Sequence, residues 1–122
     1  MKLHLDRFDG VNAFTGYGEG YVTINQRRHE SSLIVFPERL VDPWPVHCTD
    51  DLTEDSLAFL AGEPLEVLLI GTGATMRLLH PMLYRQLAAA RIGVEVMATP
   101  AACRTYNILL GESRKVAAAL II

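Results

Sequence analysis

The spacing of apolar and polar positions changes near residue 48, from a strand-like pattern to helical stripes alternating with short apolar runs. In the first part, the Gly-punctuated stretch Gly16-Tyr17-Gly18-Glu19-Gly20 precedes the β-branched and aromatic run Tyr21-Val22-Thr23-Ile24. The polar Asn25-Gln26-Arg27-Arg28 then separates that run from Ser32-Leu33-Ile34-Val35-Phe36, which predicts a hairpin over Tyr21–Phe36. Pro37, Pro43 and Pro45 interrupt any further ladder, so Glu38–Pro45 is expected as an extended connector around Trp44.

In the second part, Thr53 reads as the N-cap of a short helix through Leu57, Phe59 and Leu60, stopped by Gly62 with Pro64 beyond. Val67-Leu68-Leu69-Ile70 carries no polar alternation, the pattern of a strand covered on both faces. Pro81 is expected to open a helix with Leu83, Leu87 and Ala90 on one stripe, and Gly93 to end it before the strand Val94-Glu95-Val96-Met97. Thr99-Pro100 pairs a cap with a first-turn proline, the helix runs to Leu110, and Val116–Ile122 closes the pattern as an apolar strand. Residues 67–122 thus spell β-α-β-α-β, which implies right-handed crossovers and a mostly parallel sheet. The fold class is α/β, with an additional β-hairpin before the βαβαβ half.

Composition narrows this picture. At 122 residues the chain suits one domain, 1–122, with no room for separate catalytic and substrate domains. Half of the residues are apolar and a fifth are charged, enough for a core without disulfide staples. Cys48 and Cys103 are the two cysteines, and the start MKLHLDRFDG has neither a signal-peptide core nor the character of a transit segment. A reduced, bacterial-type cytoplasmic setting is expected, without membrane insertion, since Val116–Ile122 is far too short to span a bilayer. The formal charge of −3 is spread without blocks, which excludes a general nucleic-acid binder. Nine of the eleven cations are Arg, which holds planar anions well, although a coding preference for Arg explains the excess more simply.

The strongest local signal is Gly71-Thr72-Gly73 directly after the apolar strand. Glycine there either permits a tight turn and a close backbone approach to a ligand, its N–H groups turned toward an anion, or merely lets the chain leave a buried strand. The full dinucleotide fingerprint and the Gly-Lys-Ser/Thr of a nucleotide loop are both absent. Ligands of open α/β sheets sit at the carboxyl ends of the strands, where Gly71–Arg77 and Ala98–Arg104 should meet. A small anion pocket formed by Gly71, Thr72, Gly73, Arg77, Thr99 and Arg104 is therefore expected, with the helix N-terminus at Thr99 adding its N–H groups. Tyr106 and Asn107 follow on that helix. Asn107 either faces the crevice or ties a neighbouring backbone, and Tyr106 either reaches the site or fills core with its hydroxyl at the rim.

Other candidates are weaker. Cys103 lies in the first turn of the helix, but no His is near it in sequence and free cysteine is usually buried and inert. His47-Cys48 point to opposite faces of extended chain, and His4, His29 and His80 complete no ligand spacing, so neither a metal nor a cofactor is expected. Glu112 with Arg114 reads as an ion pair, not an acid/base couple, and no Gly-x-Ser-x-Gly elbow occurs. Trp44 is either a plug over one end of the sheet or an exposed anchor for a partner.

Taken together, Gly71-Thr72-Gly73, Gly93-Val94-Glu95-Val96-Met97, Thr99, Thr105-Tyr106-Asn107, Leu109, Glu112, Arg114 and Ala117-Ala118-Leu120 resemble a small domain family in order and spacing. The family is uncharacterised and includes the mitochondrial complex I assembly factor 3 and the adipogenesis-associated single-domain proteins. Tyr21, the Gln26–Ser32 turn and Trp44-Pro45 extend the likeness to nearly the whole chain. The resemblance implies a three-layer fold, a central mixed sheet flanked by helices with a hairpin packed nearby, and no catalytic activity established for the class. A non-catalytic binding or complex-assembly module with a protein partner is the first expectation. A small-molecule binder or enzyme, holding an anionic metabolite in the Gly71–Arg77/Thr99–Asn107 crevice, is the second. Self-association through a sheet edge or the Trp44 loop is left open.

Overall fold

A computed structural model describes residues 10–122; the readings of residues 1–9, His4 included, lie outside the described residues. A three-stranded antiparallel sheet is built from β1 (Phe14–Gly18), β2 (Tyr21–Ile24) and β3 (Arg27–His29), in that order. A five-stranded mixed sheet adds β4 (Leu33–Val35), β5 (Leu40–Val41), β6 (Val67–Gly71), β7 (Gly93–Met97) and β8 (Val116–Leu120), in the order β5-β4-β8-β6-β7. Strands β6, β7 and β8 run parallel, while β4 is antiparallel to both β8 and β5. Helices α1 (Glu54–Ala58) and α2 (Arg85–Ala89) cover one face, and α3 (Thr99–Gly111) covers the other together with the small sheet.

Side-chain alternation separates the two faces. Ile34, Leu68, Ile70, Ala117 and Ala119 join the core under α1 and α2, whereas Leu33, Val35, Leu69, Ala118 and Leu120 join the core under α3. Both faces of β6 and β8 are thus buried, as their unbroken apolar runs require. The three-layer α/β architecture expected from the sequence is present.

Its first half differs in one important respect. Ser32–Phe36 does not fold back on Tyr21–Ile24; the short β3 does so, across the turn residues Asn25 and Gln26, both at positive φ. Leu33–Val35 instead crosses into the large sheet and pairs with Leu120, Ala119 and Ala118 of β8. The physical reason is burial: Leu33, Ile34 and Val35 are all inaccessible, and only a central strand position covers both faces of such a run. The Gly-rich stretch before Tyr21 is itself a strand, β1, and Gly18 leaves room for the Tyr21 ring packed across it, which a Cβ would displace.

Smaller departures follow similar logic. Thr53 caps α1 as expected, completing a capping box with Ser56, and a 3-10 turn over Phe59–Gly62 ends it. Pro81 opens a 3-10 turn through Tyr84 before α2 begins at Arg85. Glu112 does not pair with Arg114. Arg114 reaches Glu66 at 2.9 Å, and the backbone N–H of Lys115 donates to the same carboxylate at 3.0 Å. These contacts pin the starts of β6 and β8 together and lower the Glu66 pKa, the Lys115 N–H contributing first and Arg114 second.

Candidate functional site

The carboxyl ends of β6 and β7 meet as expected, and the polar groups there bond to one another. Thr72 N–H donates to Met97 O at 2.9 Å, and Thr99 N–H donates to Gly73 O at 2.8 Å. The Thr99 hydroxyl accepts from Gly73 N–H at 2.9 Å and donates to Ile121 O at 2.7 Å. The Thr72 hydroxyl donates to Thr75 O at 2.8 Å and accepts from Arg77 N–H at 3.0 Å. Gly71, Thr72, Gly73 and Thr99 are therefore gathered into a clamp that joins the ends of β6, β7 and β8.

This explains the glycines. A Cβ on Gly71 would lie 2.8 Å from both Leu120 Cδ2 and Thr99 Oγ1 and 3.0 Å from Thr99 Cα, so the close approach is made by the first residue of α3. Gly73 adopts φ 104°, a conformation open to glycine. The close approach at Gly71 is to the chain's own Thr99 and Leu120. Thr99 is the first residue of α3 and not its side-chain cap; the N-cap is Ala98.

Arg77, Arg104, Tyr106 and Asn107 are not drawn into that clamp by their side chains. Arg77 is exposed. The Arg104 guanidinium donates to the Tyr17 hydroxyl at 2.6 Å, on the small sheet. Tyr106, fully buried, packs edge-on against Phe14 with centroids 5.1 Å apart, and its hydroxyl donates to Asn12 O at 2.8 Å. Burial, with the Glu38 charge as a lesser cause, pushes the Tyr106 pKa up, so it is not a ready proton donor. Asn107 accepts from Phe14 N–H at 3.0 Å and donates to Phe14 O at 2.8 Å. Its amide presents to β1 the donor and acceptor that a neighbouring strand would offer.

Cys103 is buried, which pushes its thiol up to about 12 and makes it a core residue, not a nucleophile. Trp44 is 4% exposed and its indole N–H donates to Ser56 O at 3.3 Å, so it is the plug and not a surface anchor. The indole joins the core on the α1 face, while the flanking Pro43 and Pro45 are exposed. His47 and Cys48 are exposed. At the amino ends of the parallel strands a cleft of about 390 Å³ opens beside Phe36. Arg39 stacks on the Phe36 ring at 4.0 Å and is ion-paired to Glu63.

Sequence reasoning passed over the connection between β6 and α2. Leu78 is 89% exposed there, with Met76 and Met82 about half exposed, and Phe59 is similarly exposed on the neighbouring α1 end. The connection is fixed at its start by the Thr72 hydroxyl and at its end by Leu79 and Leu83, which pack into the core. The available signal was the apolar Met76, Leu78 and Met82 in a segment with no regular periodicity. No helix among the described residues is long and apolar enough to cross a membrane.

Residues 14–121 match a family model described as a protein of unknown function, DUF498/DUF598. The chain is 36% identical to NADH dehydrogenase (ubiquinone) 1 alpha subcomplex assembly factor 3 of Mus musculus, over 99% of this chain and 66% of that protein. It is 38% identical to an uncharacterized protein of Rhodobacter capsulatus, over 93% of this chain and 87% of that protein. A crystal structure of a Bordetella parapertussis protein superposes with a TM-score of 0.85 at 46% identity, covering 91% of this chain and 95% of that one. A solution structure from Bordetella pertussis, described as an Mth938-like domain, gives 0.78 at 40% identity, covering 98% of this chain and 91% of that one. The match runs from the first residue of β1 to the residue after β8, across both sheets and all three helices, and the chain belongs to the DUF498/DUF598 family.

Proposed function

We propose that the chain is a non-catalytic binding module of the complex-assembly type, acting on a protein partner in a bacterial cytoplasm. The observation that carries this reading is Leu78, 89% exposed on a connection anchored at both ends. A fixed loop that holds Met76, Leu78 and Met82 in water keeps apolar surface available for a partner. The name of the assembly-factor relatives supports the same reading, as does the commitment of Cys103, Tyr106 and Asn107 to internal contacts. The free thiols of Cys48 and Cys103 suit a reducing compartment.

The test is partner recovery. Tagged chain is expected to retain a protein from the extract of its own cells, and a Met76→Ser/Leu78→Ser variant of unchanged Tm to lose it. Equal recovery by both proteins, or no partner with either, refutes the reading. The competing one, an anionic metabolite at Gly71, Thr72, Gly73, Arg77, Thr99 and Arg104, is tested on the same protein. A rise in Tm with phosphates or small carboxylates that vanishes in Arg77→Ala/Arg104→Ala would favour it.

A further inference from the structure

Among the described residues, strand β7 ends the large sheet and pairs only with β6. Gly93 N–H donates to Glu66 O at 2.9 Å and Met97 O accepts from Thr72 N–H at 2.9 Å, so Gly93, Glu95 and Met97 turn their backbone groups toward β6. By the two-residue alternation of a strand, the N–H and C=O of Val94 and Val96 point outward. Neither valine has a backbone partner on that side among the described residues.

The fold treats its other edges differently. On β1, Asn107 occupies both backbone groups of Phe14. Strand β5 has two residues and runs into Asp42-Pro43, and β3 has three, two of them arginines. Strand β7 has five residues, no proline and valine at both outward positions. Such an edge is a template for strand addition.

We infer that the outer edge of β7 receives an extended segment of another protein that sets a lysine or arginine against Glu95 between two apolar residues. The inference rests on the binding-module reading above and names the chemistry of the partner. Glu95 is exposed and makes no ion pair or hydrogen bond among the described residues. It projects on the α3 face, while Val94 and Val96 pack toward the core under α2. Residues opposite each other on adjacent strands share a face, so the added strand reads apolar, cation, apolar.

A second copy of the chain fits less well. The antiparallel register that uses all four outward groups matches Val94 with Val96 of the other copy and sets Glu95 against the same residue of that copy. Like charges directly opposite are destabilising. Registers shifted by one step remove the clash and lose half of the hydrogen bonds. Glu95 thus discourages self-pairing and favours a cationic strand.

The test uses the full chain and two eight-residue threonine-rich peptides, identical except for Lys or Glu between two central valines. The Lys peptide is expected to shift the Val94 and Val96 amide signals, slow their exchange and bind about fivefold more tightly than the Glu peptide. Glu95→Lys should reverse that order and Glu95→Gln should level it. Peptides that bind equally to the native chain, or that leave β7 unperturbed, overturn the inference. So does a chain that dimerises alone with its Val94 and Val96 amides protected, which makes a second copy the occupant. Failure of the two readings is distinguishable. Peptides that bind as expected while no partner is recovered sink the module reading and keep the edge. A partner held equally by native chain and Glu95→Lys, with β7 silent to both peptides, sinks the edge and keeps the module.

Discussion

The seam between α3 and the small sheet contrasts with the connection between β6 and α2. Along α3, side chains that suggested chemistry are taken up by internal contacts: on the seam Asn107 serves the Phe14 backbone, Tyr106 serves Asn12 O and Arg104 serves the Tyr17 hydroxyl, and at the start of the helix Thr99 serves Gly73 and Ile121. On the connection, Met76, Leu78 and Met82 suggested no chemistry, yet they stand in water. A polar side chain among apolar neighbours marks a backbone group in need of a partner, since leaving one buried and unpaired costs about 1–3 kcal/mol. An apolar side chain without cover has no such internal explanation, and it carries the functional reading here.

The comparison breaks if the seam proves dispensable, and substitutions rank the ways to show it. Phe14→Ala removes the ring against which Tyr106 packs and should cost about 3–5 kcal/mol, read as a drop in denaturant midpoint at constant m-value. Thr99→Val keeps the shape and strands Gly73 N–H and Ile121 O, a loss of about 2–3 kcal/mol in the same assay. Asn107→Ala uncovers Phe14 N–H and O at a partly buried edge and should cost about 1–2 kcal/mol, with faster amide exchange at Phe14 as its local signature.

Two further substitutions sharpen the contrast through small effects. Glu66 has a lowered pKa in the folded chain, so its contribution to stability is complete above the ordinary value of 4.5 and is lost as pH falls through the depressed folded value. Glu66→Gln should therefore narrow the gap to the native chain only in acid, and an unchanged pH dependence of unfolding would deny the carboxylate that role. Leu78→Ser alone should leave stability within about 0.5 kcal/mol while weakening partner recovery.

The second half of the chain was legible because its signals are local. Val67–Ile70 has no polar alternation, Thr53 caps with Ser56, and Gly93 and Gly111 lie at element boundaries, so periodicity and capping found β6, α1, β7 and α3. The first half was misread where pairing is long-range. Tyr21–Ile24 and Ser32–Phe36 both read as strands, but the choice of partner for Leu33–Val35 depends on β8, some 85 residues onward, which local pattern does not encode. The candidate pocket residues divide, because Arg104, Tyr106 and Asn107 turn to Tyr17, Asn12 and Phe14. Gly71, Thr72, Gly73 and Thr99 do meet, but which donors are already occupied depends on φ at Gly73 and on the reach of the Thr99 hydroxyl. Trp44 shows the same limit, because burial of one indole is decided by α1, not by its flanking prolines.

The position of β8 also bears on how the chain is made. It lies between β4 and β6 and joins the antiparallel and parallel parts of the large sheet. Until residues 116–120 leave the ribosome, Leu33–Val35 lacks its large neighbour and the ladder of β6 is half empty. Synthesis proceeds from the amino end at about 5–20 residues per second, so the buried apolar strands wait several seconds for the alanine-rich segment that covers them. A nascent chain stalled before Val116 should therefore be a chaperone client.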